Sequence, residues 1–188
     1  MRILIWNVRG LGKLARRRQV RDYIFQEKVD IVGLQETVKE DFSTGLLQEI
    51  SGGLTFSWSW LPARGKFGGI LLGIKVDSLE METCSLGEFC IQMTVRDRVS
   101  NFRWEMICVY GPAQHDKSAL FVEELNSICQ NCLLPMVIGG DFNLIREASD
   151  KSSPNCDQAL MYLFNNFIGD NQLREIKRSG PKFSWTNK

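Results

Sequence analysis

The sequence has little of what marks several large classes of protein. Its 23 Lys and Arg against 22 Asp and Glu leave a net charge of +1, so no global basic field indicates a nucleic-acid binder. Six cysteines are too few for a disulfide-rich scaffold and favour a reducing compartment. No run of 18 uncharged apolar residues occurs, and the first apolar run is shorter than a signal-peptide core. These absences predict an intracellular protein, nuclear or cytoplasmic, with no membrane partner.

The remaining composition is that of one globular domain spanning residues 1–188. Of the 188 residues, 44% are hydrophobic and 24% are charged, enough apolar side chains for a packed core. Short β-rich runs alternate with helical patterns, which predicts a layered α/β or α+β fold. The predicted strands are Ile3 to Val8, Asp30 to Gln35, Leu54 to Trp60, Gly69 to Lys75, Phe89 to Val95, Trp104 to Tyr110 and Met136 to Gly139.

Three helices are predicted from the spacing of apolar residues. The strongest stripes run from Phe121 to Cys132 and from Leu160 to Phe167, and a weaker one lies within Lys13 to Lys28. Ser153 is the predicted N-cap of the last helix, with Pro154 at its first position.

Positive charge is concentrated near the N-terminus, where the first 21 residues contain seven Lys and Arg and no acid. Within this stretch, Arg16, Arg17 and Arg18 are consecutive. Such a run is either a solvated helix face or a patch that contacts phosphates, because Lys and Arg supply most non-specific affinity for nucleic acids. The sequence alone leaves both interpretations open.

Four short polar signatures each follow an apolar strand. They are Trp6-Asn7, Gln35-Glu36-Thr37, Tyr110-Gly111-Pro112 and Gly140-Asp141-Phe142-Asn143. Each one alone is typical of an ordinary turn or a solvated strand end. In open sheets, however, functional groups collect where strands end. The recurrence therefore predicts that five side chains meet at one rim: Asn7, Glu36, Tyr110, Asp141 and Asn143.

These side chains supply carboxylates, amides and a phenol, an oxygen-rich set that suits Mg²⁺ or Mn²⁺. Such ions complete their coordination with water and substrate phosphate, which indicates hydrolysis of a phosphate ester. Glu36 is then expected to hold the metal, and Asp141 to orient or deprotonate the attacking water. Asn7 and Asn143 would hydrogen-bond the metal's waters or the phosphate oxygens, and Tyr110 would contact the phosphate or the leaving oxygen.

The same motifs, in the same order, occur in a known family. The sequence resembles the endonuclease/exonuclease/phosphatase superfamily of DNase I-like, Mg²⁺-dependent phosphoesterases, and looks most like the endonuclease domain of plant LINE-type (non-LTR) retroelements. The resemblance rests on the motifs at residues 6–12, 30–37, 68–70, 110–112, 140–143 and 183–187.

This resemblance implies a four-layered α/β sandwich, with two mixed sheets face to face and helices outside. It also implies DNA or another phosphoester as the substrate. Asn7 and Glu36 would lie on the metal side, Tyr110 and Asn143 at the phosphate, and Asp141 at the nucleophile. Thr186 matches a Ser or Thr near the substrate phosphate in these endonucleases.

The sequence departs from the family pattern at its end. The pattern continues to a Ser-Asp-His segment and a final strand, whereas this sequence ends at Lys188 and its single histidine is His115. We therefore expect a C-terminally incomplete domain that lacks the last strands, with weak or absent hydrolysis. The rival hypotheses are an inactive remnant that binds nucleic acid or protein, and a phosphatase for small phosphoesters. The sequence leaves the oligomeric state open.

Overall fold

A computed structural model of the chain describes residues 1–65, 68–151, 156–177 and 179. The chain divides into two compact units. The first comprises Met1–Tyr110 and Cys132–Asp141, and the second comprises Gly111–Asn131 and Phe142–Lys188. Within the described ranges, no helix has the length and apolar character needed to cross a lipid bilayer.

Among the residues that the structure describes, eight strands form two four-stranded mixed sheets in the first unit. The first sheet has the order β1-β2-β4-β3, with β1 Ile3–Asn7, β2 Ile31–Gln35, β3 Phe56–Leu61 and β4 Ile70–Lys75. The second has the order β5-β6-β7-β8, with β5 Leu79–Leu86, β6 Cys90–Asp97, β7 Arg103–Tyr110 and β8 Met136–Asp141. Each sheet contains one parallel pair, β1 with β2 and β7 with β8.

The two sheets pack face to face through an apolar core. Fully buried side chains from both sheets form one cluster, including Ile31, Ile70, Leu72, Ile91, Met93 and Met106. Burying a side chain of this size contributes about 1.5–3 kcal/mol. A Cβ on Gly33 would come within 2.8 Å of Cys108 Sγ. Gly33 therefore allows the sheets to approach closely at that point.

Two helices cover the outer face of the first sheet: α1, Leu14–Gln26, and α2, Thr44–Ser51. Their buried residues Val20, Ile24 and Ile50 share a core cluster with Val32 and Leu34 of β2. The predicted α/β architecture of two face-to-face mixed sheets flanked by helices is therefore confirmed. The sequence pattern did not predict α2 or β5.

The register of the parallel pairs brings the strand ends into line. Asn7 of β1 lies opposite Gln35 of β2, and Tyr110 of β7 lies opposite Asp141 of β8. The strand β7 lies between β6 and β8, and its residues from Trp104 to Val109 are buried. The central position predicted for this strand is confirmed.

The second unit contains α3, Ser118–Asn131, and α4, Gln158–Asp170. Phe142 packs between Phe121 and Phe164, with ring centroids 6.2 and 5.2 Å away. The N-cap of α4 is Asp157, whose carboxylate accepts hydrogen bonds from the backbone N–H groups of residues 159 and 160. Assigning this cap to Ser153 was wrong, because α4 begins at Gln158. Ser153 and Pro154 lie outside the described residues.

Candidate active site

Asn7 and Asp141 join the two sheets at the ends of β1 and β8. The Asn7 Nδ2 atom donates a hydrogen bond of 2.8 Å to Asp141 Oδ2. The Asn7 Oδ1 atom accepts one of 3.1 Å from the backbone N–H of Arg9. The nitrogen and the oxygen of the Asn7 amide thus both form hydrogen bonds. These fix the orientation of the amide and of the Asp141 carboxylate that accepts from it.

Glu36 follows β2 directly, in a turn with unusual backbone geometry. Its φ angle is +54°, and that of Val38 is +52°, in the left-handed region that costs a residue with a side chain about 1–2 kcal/mol. Positive φ angles in such residues persist only where surrounding contacts impose them, and they cluster at functional sites. The turn that carries Glu36 is therefore a specified feature of the fold.

Backbone hydrogen bonds brace this turn from both sides. On one side, Gly10 N–H donates to the carbonyl of Glu36 at 2.7 Å and Leu11 N–H to that of Thr37 at 3.0 Å. On the other, the N–H groups of Thr37 and Val38 donate to the carbonyls of residues 69 and 68, both at 3.1 Å. A Cβ on Gly69, whose φ is +85°, would collide with the Thr37 hydroxyl. Close backbone packing is thus the role of the Gly68-Gly69 pair.

Tyr110, at the end of β7, is under the electrostatic influence of both carboxylates. Burial, followed by the negative charges of Glu36 and Asp141, raises the pKa of Tyr110 to about 12 from its ordinary value of 10. A hydrogen bond from the Tyr110 hydroxyl to the Glu36 carboxylate acts in the same direction. The phenol therefore stays protonated at neutral pH and remains a hydrogen-bond donor.

The arrangement is suited to a small divalent cation. Two carboxylates that act on one phenol form a locally negative region, which a cation would neutralise. No group of three or more His, Cys, Asp or Glu that could hold a metal occurs in the described part of the chain, so a site of zinc type is not formed there. Mg²⁺ needs only one or two carboxylates because it keeps several waters. Glu36, Asp141 and the Asn7 amide fit that requirement.

The sequence profile of the Endonuclease/Exonuclease/phosphatase family matches residues 4–187. The chain belongs to this family. No curated protein sequence matches it at a significant level.

Solved structures share the fold. The 3′–5′ exonuclease NExo from Neisseria meningitidis is 22% identical, with a TM-score of 0.68 over 90% of this chain and 71% of that protein. An AP endonuclease from Archaeoglobus fulgidus is 20% identical, with a TM-score of 0.68 over 90% of this chain and 70% of the other. The human Nocturnin catalytic domain is 15% identical, with a TM-score of 0.65 over 91% and 70% of the two chains. At these identities, the likeness shows the family's fold.

Two other residues predicted for the site, Asn143 and Thr186, are not part of the first unit. Asn143 lies in the second unit, where its Nδ2 atom donates a hydrogen bond of 2.7 Å to the carbonyl of Gly111. Its φ angle of +51° is one that Asn adopts more readily than most residues. Thr186 lies outside the described residues. The roles assigned to both by the family resemblance remain predictions.

The three consecutive arginines of α1 have three different environments. Arg17 forms an ion pair of 2.9 Å with Glu49, and its side chain is 17% exposed. It also donates to the carbonyls of Leu11 and Gly12 at 3.0 and 2.7 Å. The Arg16 guanidinium lies 5.5 Å from the centre of the Trp6 ring. Arg18 is exposed. Arg17 therefore stabilises the packing of α1. Arg18 is the more accessible positive charge of the predicted phosphate-contacting patch.

The brace around Glu36 was missed by sequence reasoning. Only Gly68-Gly69 signalled it, since consecutive glycines indicate close backbone approach or positive φ. Nothing in the sequence indicated that Glu36 itself adopts a left-handed conformation.

Proposed function

We propose that this member of the family is a Mg²⁺- or Mn²⁺-dependent phosphodiester hydrolase that nicks DNA, of the LINE-retroelement endonuclease type. The proposal rests on the grouping of four side chains. The charges of both Glu36 and Asp141 act on the Tyr110 phenol, and Asn7 donates a hydrogen bond to Asp141. Residues more than 100 positions apart thus converge at the ends of four strands.

The chemistry of relatives supports DNA as the substrate. A structure of the 3′ phosphatase NExo from Neisseria is bound to a product DNA hairpin, and members of the family generally use divalent metal ions. The retroelement type rests on the set of motifs described above. DNA is accordingly the substrate that we propose for this chain.

Each side chain has a separate task in this proposal. Glu36, with Asn7 beside it, would hold the cation, which when bound supplies Lewis-acid stabilisation of charge on the phosphate. Asp141 orients the attacking water and accepts its proton, and the amide of Asn7 keeps that carboxylate in place. The protonated Tyr110 hydroxyl can donate a hydrogen bond to a phosphate or leaving oxygen.

Residues beyond this cluster would bind the substrate. We propose that Asn143 and Thr186 contact the phosphate. Arg18, together with Arg16, would contact the DNA backbone, and Arg17 would contribute mainly to the position of α1.

Nicking of supercoiled plasmid in Mg²⁺ tests the proposal. We expect nicking by the wild-type protein and none by Glu36→Gln or Asp141→Asn, which keep side-chain size and remove charge. Glu40→Gln changes an exposed carboxylate close to the same turn and is expected to nick like wild type. Salt-dependent DNA binding without nicking would instead indicate the rival hypothesis, an inactive remnant that binds nucleic acid. Cleavage of small phosphoesters without nicking would instead identify a phosphatase.

A further inference from the structure

A buried amide lies directly beneath the candidate site. The Gln35 side chain is 1% exposed. Its Nε2 atom donates hydrogen bonds to the carbonyl of Gly33 and to the sulfur of Cys108, both at 3.1 Å. Gln35 is in the first sheet and Cys108 is in the second, so the second hydrogen bond links the two sheets.

This bond joins the strands that carry the site residues. Gln35 is the last residue of β2, immediately before Glu36, and it pairs with Asn7 of β1. Cys108 precedes Tyr110 on β7 by two residues, so both side chains lie on the same face of the strand. A change in the contact between residues 35 and 108 would therefore be transmitted to Glu36 and Tyr110.

Stability does not explain an amide at this position. Cys108 is fully buried within the apolar cluster between the sheets, and burial raises the pKa of its thiol to about 12, so the sulfur is a neutral, weak acceptor. One N–H of the amide has the Gly33 carbonyl as its acceptor, but the other has only this weak acceptor, and burying it costs free energy that an apolar side chain of the same length would avoid. The Cys108 sulfur can lie this close to β2 because Gly33 lacks a Cβ, which would collide with it.

We propose that Gln35 is a positioning residue, whose hydrogen bond to Cys108 sets the separation of β2 and β7 and thereby places Glu36 relative to Tyr110 and Asp141 for binding a divalent cation. This inference rests on the proposed function because it concerns the same cation. Residues that orient a ligand without touching the metal typically change metal affinity by about 10- to 100-fold when they are replaced.

Binding of Mn²⁺ to the free protein, measured by electron paramagnetic resonance without DNA, tests the proposal. Gln35→Met keeps the length of the side chain and removes both donors, and Cys108→Val removes the acceptor. We expect each to weaken Mn²⁺ binding about tenfold, and the double variant to be no weaker than either single one. Cys108→Ser keeps an acceptor and is expected to stay within about twofold of wild type.

Thr94→Val is the matched control. It removes another buried hydrogen bond, 2.7 Å from the Thr94 hydroxyl to Glu105, nearer the other end of β7. We expect lower thermal stability and unchanged Mn²⁺ affinity, which separates positioning from general loss of stability. If Gln35→Met does not fold, Cys108→Val and Cys108→Ser provide the same comparison.

The outcomes separate this inference from the proposed function. Unchanged Mn²⁺ affinity in a folded Gln35→Met or Cys108→Val protein would overturn the inference, even if the wild type nicks DNA. Additive losses in the double variant would also overturn it, because the two residues would then act independently. If the expected Mn²⁺ affinities are found but the wild type neither nicks nor cleaves phosphoesters, the inference stands and the proposed function fails.

Discussion

The protonation of Tyr110 makes the stability of the protein depend on pH in the alkaline range. The pKa of Tyr110 is raised to about 12, against an ordinary value of 10 in an unfolded chain. The neutral phenol is thus favoured in the folded state, and its contribution is fully present below pH 10. It is lost as the pH rises towards 12, because the unfolded chain then gains a charge that the folded site resists.

The expected change in the free energy of unfolding follows from the size of the Tyr110 pKa shift. Two pKa units correspond to about 2.7 kcal/mol, and the partial exposure of Tyr110 to solvent reduces this to about 1–2 kcal/mol. We expect the free energy of unfolding of wild type to fall by this amount between pH 9.5 and pH 12, relative to Tyr110→Phe. The comparison between the two proteins removes the contributions that all other groups make over the same pH range.

The assay combines urea denaturation at each pH with carbon-13 NMR of labelled tyrosine. The chain has only three tyrosines, so the Tyr110 resonance is identified by its loss in Tyr110→Phe. If Tyr110 titrates at the ordinary tyrosine pKa of 10, the phenol is neither buried nor influenced by the two carboxylates, and the described geometry of the site is wrong.

Three further predictions concern stability and DNA binding. Arg17→Ala should lower the free energy of unfolding by about 2 kcal/mol through loss of its charged hydrogen bonds, whereas Arg18→Ala should change it by less than about 0.5 kcal/mol; urea denaturation measures both. In DNA binding, Arg18→Ala should reduce the slope of log affinity against log salt by about 1, and an unchanged slope would reject a phosphate contact. Gly69→Ala should lower the free energy of unfolding by about 2 kcal/mol or more. Gly45→Ala, at a position on α2 with open space around it, should raise it by up to about 1 kcal/mol. Equal effects of the two substitutions would contradict the close backbone packing described at Gly69.

The parts of the fold with strong local patterns were predictable. The buried strands β2 and β7 contain the uninterrupted apolar runs 31–34 and 106–109, and polar residues follow each run. Because parallel strands align their carboxyl ends, the convergence of Glu36, Tyr110 and Asp141 could be anticipated without coordinates.

Elements without a strong apolar pattern could not be predicted in this way. The strand β5 lies at a sheet edge and is largely exposed after Met81, so its polar sequence reads as a loop. The helix α2 has eight residues, too few for a clear stripe, although Ser43 caps its start and Gly52 ends it in a left-handed conformation.

Tertiary contacts determined the remaining differences. Arg17 reads as part of a basic patch because its partner, Glu49, is 32 residues away along the chain. The left-handed turn at Glu36 is imposed by two other segments, around residues 10 and 69. Neither contact has a local signature that a single sequence could reveal.

In the proposed function, Asn7, Glu36, Tyr110 and Asp141 surround one divalent cation. Paramagnetic broadening by Mn²⁺ tests it most directly, in protein with carbon-13 labels on its three tyrosine rings. We expect the Tyr110 resonance to broaden at low Mn²⁺ concentrations, and the broadening to be lost in Glu36→Gln and Asp141→Asn. A Tyr110 resonance that is unaffected by saturating Mn²⁺, or that broadens equally in both variants, would contradict it.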